Sequence, residues 1–253
     1  MDRILSKVGI GAAEVDTVFP KTTVRAGESV EVRVDIEGGS TEQEIDGIYF
    51  ELAASCRTDS GTETFSVASV EAAESMTIGP GEERSLPATL VVPRETPLTR
   101  IQGTDISTTD VWLDTGLDID LAVDPDDRDA ITVRPGGRVK RLFDVLDTLG
   151  FRLHDMEYQE APATEPQFGP PLVQEFEFVP REAPFVGEME ELEIAPLALP
   201  EECRVYLNVD RHTDIVSEDI RADESGEVVS FSGKDETALR KELRGVIRKH
   251  IHE

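Results

Sequence analysis

The sequence predicts a mostly β fold: two consecutive antiparallel β-sandwich domains, one short helix in the second domain, and an amphipathic helix at the C-terminus. Three observations carry this expectation. Apolar and polar residues alternate along many short segments, as strands with one buried face require. Glycine, proline and aspartate punctuate these segments at intervals typical of hairpin-connected strands. Helical periodicity with a clear apolar stripe is confined to two places, Gly136 to Gly150 and the segment after Lys234.

In the first half, Asp2 to Val8 could form a turn or two of helix ended by Gly9 and Gly11. Ala12 to Val18 then reads as a strand. Val30, Val32, Val34 and Ile36 alternate with Glu31, Arg33, Asp35 and Glu37, and Gly38-Gly39 supplies the following turn. Ile48, Phe50, Leu52 and Ala54 place an apolar face along a strand that ends near Cys56, before the turn Asp59-Ser60-Gly61. Phe65 to Met76 and Ser85 to Val92 follow, separated by Gly79-Pro80-Gly81. Trp112 has opposite parity to Val111 and Leu113, which points to the outer sheet face or a domain contact.

The segment from Val111 to Val133 marks the expected joint. Leu117, Ile119, Leu121 and Val123 alternate with aspartates, Pro125 removes a ladder donor, and Ile131 to Val133 begins a new strand. The expected domains are therefore 1–124 and 131–233. An acidic connector at 125–130 separates them, and a basic helix occupies 234–253. The inter-domain connector is assigned to Asp124, Pro125, Asp126, Asp127 and Asp129.

In the second half, Val139, Leu142, Phe143, Leu146 and Leu149 form one helical face. Strands are expected at Phe151 to Tyr158, Val173 to Val179, Glu190 to Ile194 and Cys203 to Val209, with a proline-rich loop at Ala161 to Pro171. In the tail, Leu239, Leu243, Val246, Ile247 and His250 share a face. The bases Arg240, Lys241, Arg244 and Arg248 are the candidate partner-binding residues, weighed against a purely structural role for this helix.

A formal net charge of -28, from 53 acidic and 25 basic residues, excludes a general nucleic-acid binder driven by counterion release. Only six of the bases are lysines, and a surface of short carboxylates with few lysines indicates adaptation to high salt. Two cysteines, Cys56 and Cys203, cannot form a disulfide framework, and they read as buried small hydrophobes of a reducing compartment. The N-terminal MDRILSKVGIG lacks an export core, and no run approaches the roughly 18 apolar residues of a membrane span. The expectation is a cytoplasmic protein without integral membrane association.

Catalytic motifs are missing: there is no GxSxG, no GxxxxGK[ST], no GxGxxG opening a helix and no HExxH. His154, His212, His250 and His252 are scattered. The Asp124 to Asp129 cluster offers hard oxygens but lacks the mid-loop glycine and terminal glutamate of a calcium loop. No cofactor and no catalytic residue are assigned.

Several segments resemble the sporulation-control (SpoOM) family: Val8 to Ala13, Gly38 to Gln43, Thr96 to Thr99, Leu149-Gly150-Phe151, Val173 to Phe178 and Glu191 to Ile194. The most specific is the TxLDIxxAxDPxDxD pattern within Val111 to Asp129. The resemblance weakens after Asp210-Arg211. It implies an arrestin-like fold of two β-sandwich domains, here in a salt-adapted member of haloarchaeal type. It also implies a regulatory adaptor that binds other proteins and has no catalytic activity. The alternative is a carbohydrate- or ligand-binding β-sandwich, calcium-assisted; a hydrolase using scattered acids ranks third. The expected partners are unidentified proteins, with a homodimer also expected from open sheet edges.

Overall fold

The computed structural model describes residues 13–45, 47–58, 61–117, 129–160, 172–210, 227–233 and 235–252. It divides into two compact units. The first comprises Met1–Cys56, Thr62–Thr99 and Thr109–Arg134, and the second Arg57–Gly61, Arg100–Thr108 and Pro135–Glu253. The mostly β architecture follows from the alternation in the sequence. The expected N-terminal helix, the Asp59-Ser60 part of a turn and the Ala161 to Pro171 loop lie outside the described residues.

The first unit contains β1 (Glu14–Val18), β2 (Thr23–Arg25), β3 (Ser29–Glu37), β4 (Gln43–Ile45), β5 (Ile48–Thr58), β6 (Gly61–Ala73), β7 (Met76–Ile78) and β8 (Glu83–Val91). After β9 (Arg100–Ile101) and β10 (Thr104–Asp105), which pair with each other, it resumes with β11 (Thr109–Leu117), β12 (Asp129–Ala130) and β13 (Thr132–Arg134). One sheet has the order β1-β3-β8 and another β12-β11-β5-β6, and β1 lies against β11. β3 buries Val30, Val32, Val34 and Ile36 and turns Glu31, Arg33 and Glu37 outward. Phe50, Leu52, Ala54, Val111 and Leu113 supply buried residues from the four-stranded sheet. Burying each of the larger side chains contributes about 1.5–3 kcal/mol. Trp112 is itself buried, opposite Ala53 and Ala130 on the neighbouring strands, and its Nε1–H donates to Asp114 Oδ2 at 2.9 Å.

Glycine at position 38 serves a close approach. The Gly38 N–H donates to Glu82 O at 2.8 Å, and its carbonyl accepts from Gly81 N–H at 3.0 Å. A Cβ at Gly38 would stand 2.0 Å from the Gly79 carbonyl oxygen, so only glycine fits between the two turns.

The domain boundary differs from the sequence expectation. Ile131 to Val133 was expected to open the second domain, yet β13 pairs in parallel with β2, and Ile131 N–H donates to Val111 O at 2.7 Å. Asp129, assigned to the connector, stands in β12 opposite Leu113. Both pairings attach the segment to the first unit, which ends at Arg134. Alternation alone shows that a strand exists but not which sheet it joins.

The second unit carries α1 (Gly137–Thr148), β14 (Phe151–Glu160), β15 (Leu172–Pro180), β16 (Glu191–Ala198), β17 (Cys203–Asp210), β18 (Glu227–Phe231) and α2 (Glu236–His252). Its described long strands form one antiparallel sheet in chain order, β14-β15-β16-β17-β18. Helices cover one face of it. Phe143 of α1 packs edge-on to Phe176 at 5.3 Å between centroids and lies 5.8 Å from Phe178. The helix ends at Gly150, whose φ of 87° suits glycine and whose N–H reaches Asp147 O at 3.0 Å.

Gln102 belongs to this unit although it lies far upstream in sequence. Its side-chain amide donates to Phe143 O at 3.4 Å and accepts from Leu153 N–H at 3.2 Å, tying the β9–β10 turn to α1 and β14. The expected first domain, 1–124, included this turn. In the structure the turn belongs to the second unit, and its two side-chain hydrogen bonds there are ones that no local pattern announces.

Candidate functional site

The second unit presents two charged surfaces of opposite sign. The positive one is the outer face of α2. Asp235 caps this helix, its Oδ1 accepting the Ala238 N–H at 2.7 Å. Leu239, Leu243 and Ile247 are fully buried beside α1 and β17, so the apolar stripe is structural. That packing turns Arg240, Lys241, Arg244 and Arg248 outward, and all four are exposed. Arg240, Arg244 and Arg248 recur every four residues and span about 12 Å of helix, with Lys241 on the same side.

These four bases make no ion pair or hydrogen bond through their side chains among the described residues. Elsewhere bases find acids: Lys21 with Glu28, Arg33 with Asp35, Lys140 with Asp144, Arg204 with Glu202, and on α2 itself Lys249 with Glu227 at 2.8 Å. Like charges four residues apart on a helix repel by a few tenths of a kcal/mol. In a chain with two acids for every base, four adjacent bases without an acidic partner among the described residues mark this surface out.

The negative surface lies on the sheet face opposite α1. Phe176 and Phe178 point to α1, so Glu177 between them points away. Cross-strand register sets Asp155 opposite Glu177, Glu177 opposite Glu193, and Glu193 opposite Asn208. Asn208 Nδ2 donates to Glu193 Oε2 at 2.9 Å, capping one end of the row. Partial burial, reinforced by Glu191, Glu157, Asp155 and Glu193, pushes the Glu177 carboxyl up to about 7. Burial and then Glu193 and Asp210 likewise raise Glu191, which pairs across the strands with Asp210.

The remaining candidate groups do not converge. Asp124, Pro125, Asp126 and Asp127 of the expected connector lie outside the described residues, as does His212. His250 is buried and donates from Nδ1 to Val246 O at 3.0 Å, whereas His154 and His252 are exposed. Among the described residues no group of three or more His, Cys, Asp or Glu has a metal-holding arrangement. Cys56 and Cys203 are both buried, and burial pushes the Cys203 thiol up to about 12. A depression of about 330 Å³ on the β1-β3-β8 sheet is lined by Glu14, Asp16, Arg33, Asp35 and Arg84. There Arg33 and Ser85 both bond Asp35, which occupies these groups with one another. Among the described residues no helix is long and apolar enough to cross a membrane.

The sequence profile described as SpoOM protein matches residues 1–213, a span that ends before α2. The sporulation-control protein spo0M of Bacillus subtilis (strain 168) is 32% identical over 215 residues, covering 83% of this chain and 80% of that protein. The crystal structure of Spo0M from Bacillus subtilis superposes with a TM-score of 0.76 at 29% identity, over 95% of this chain and 100% of that one. The arrestin-like, mostly β fold expected from the resemblance is thus found. A profile match over most of the chain, a 32% identical relative and a shared fold place this chain in the SpoOM sporulation-control protein family.

Proposed function

We propose that this chain is a non-catalytic regulatory adaptor of the cytoplasm that acts by binding other proteins. The outer face of α2, with Arg240, Lys241, Arg244 and Arg248, is a docking surface for a carboxylate-bearing partner. One observation carries the reading: these bases are exposed and, among the described residues, have no acidic partner, in a chain whose other bases commonly meet an acid. Family membership supports the regulatory part, since the Bacillus subtilis relative is named for sporulation control. Arginine suits the task, because its planar guanidinium grips a carboxylate through two parallel hydrogen bonds that outlast the screening of long-range charge in high salt.

The test is crosslinking capture at high salt, comparing the intact chain with a variant carrying Arg240→Gln, Lys241→Gln, Arg244→Gln and Arg248→Gln. The expected result is a reproducible partner held by the first and lost by the second. Equal recovery by both would overturn the assignment of this face, and no reproducible partner for either would count against the adaptor role.

A further inference from the structure

We infer that the outer face of α2 takes an α-helix whose carboxylates recur every fourth residue, seated over Gly245; the inference rests on the reading of this face as a docking surface. The opposite side of α2 is committed to the fold through Leu239, Leu243, Ile247 and His250. On the exposed side Gly245 follows Arg244, with Lys241 one turn before it and Arg248 one turn after. It therefore stands beside the middle of the row Arg240, Arg244 and Arg248. A helix crossing that row at its centre makes its nearest approach there.

Nothing inside the fold calls for glycine at this position. Its φ is not positive, and a Cβ built on it would meet no atom within 4 Å. Glycine is the poorest helix residue after proline, because its backbone loses the most freedom on ordering. Yet it sits near the middle of a helix of 17 residues. What glycine supplies there is a notch between the bases through which another backbone can come close. Ala238, also exposed, repeats the small residue two turns earlier on the same side. Packed helix axes lie about 8–10 Å apart, and small residues at the crossing favour the shorter distance.

Charge and backbone chemistry together select the occupant. Successive arginines of the row are about 6 Å apart along the axis, the spacing that glutamates at every fourth residue of a second helix reproduce. Each facing pair can close through two parallel hydrogen bonds. An extended peptide fits less well. The middle of α2 has no free backbone groups to satisfy the peptide's own N–H and C=O, whereas a helix arrives with its main chain already bonded. A lipid surface calls for large apolar side chains beside the bases, and the exposed residues between them are small: Thr237, Ala238 and Gly245. A long polyphosphate would have to lie against a chain of net charge -28.

Titration of labelled peptides at matched salt tests the inference. One probe is a stapled alanine-based helix with glutamate at every fourth residue; the other carries the same number of glutamates and is kept extended by prolines. The native chain is expected to bind the helix about tenfold or more tightly than the extended peptide. Gly245→Leu fills the notch without changing charge, and it is expected to bind the helix about tenfold more weakly with an undiminished melting temperature. Should that variant misfold, the native chain decides: the same peptide without its staple is expected to gain helix by circular dichroism as the chain is added. Equal binding of the two peptides, a folded Gly245→Leu variant that binds the helix as the native chain does, or no gain of helix would each overturn the inference. So would tighter binding of phosphatidylserine vesicles or duplex DNA than of the helix. If the four-glutamine variant loses both peptides while Gly245→Leu keeps them, the helical occupant falls and the docking surface stands. If the four-glutamine variant keeps the helix, the docking surface falls with it.

Discussion

Glu177 stands directly opposite Glu193 across β15 and β16, two carboxylates on neighbouring strands of one sheet face. Only Glu193 receives the Asn208 amide, and the Glu177 carboxyl is pushed from an ordinary value of 4.5 to about 7. The folded chain therefore keeps a proton that the unfolded chain releases. The stability this group contributes is complete below about pH 4.5 and is lost as pH rises through about 7. Glu177→Gln should flatten that slope and stabilise the protein above pH 7. The gain is about 1 kcal/mol once screening at this half-exposed site is allowed for. Melting curves of both proteins at pH 5 and pH 8, at fixed high salt, check this; equal pH slopes would contradict it.

Gly38→Ala should cost about 2 kcal/mol or more, because the new methyl would stand 2.0 Å from the Gly79 carbonyl oxygen and force two turns apart. Gly245→Ala, on the open outer side of α2, should be neutral or stabilising by about 0.5–1 kcal/mol. Urea unfolding of the two variants separates these outcomes.

The two faces of α2 should separate cleanly. Leu243→Ala removes a fully buried side chain and should destabilise by about 2–5 kcal/mol. Neutralising Arg240, Lys241, Arg244 and Arg248 to glutamine should leave stability unchanged or raise it by a few tenths of a kcal/mol, since it relieves repulsion along one helix face. Thermal melting of the two variants gives the comparison.

Salt should stabilise the whole molecule. At a net charge of -28 the carboxylates repel strongly in dilute buffer, and in molar salt a Debye length of about 3 Å confines that repulsion to near neighbours. The melting temperature should climb from dilute buffer to molar KCl, and an unchanged value would remove the idea of salt adaptation.

Much of the fold was legible because strand alternation and the α2 stripe are local signals. β3 follows its Val30 to Ile36 pattern residue for residue, and Leu239, Leu243 and Ile247 are buried as their spacing requires. What was not legible depends on pairing between distant segments. β13 joins β2 in parallel, and Gln102 binds α1 and β14, so neither allegiance appears in its own neighbourhood. β18 was missed altogether, since Val229 and Phe231 give too short an alternation to stand out. The four α2 bases were visible as charges, but their lack of acidic partners among the described residues was visible only in three dimensions. The carboxylate row escaped notice because 53 acids hide any particular cluster until register brings Asp155, Glu177 and Glu193 into line.

On the proposed reading, the chain acts by holding a protein partner on the outer face of α2. The most direct measurement is titration of a purified captured partner with the native chain and with the four-glutamine variant, each shown to be folded, at matched high salt. The variant is expected to bind at least about tenfold more weakly, a loss of about 1.4 kcal/mol or more. Equal affinity for both chains would contradict it.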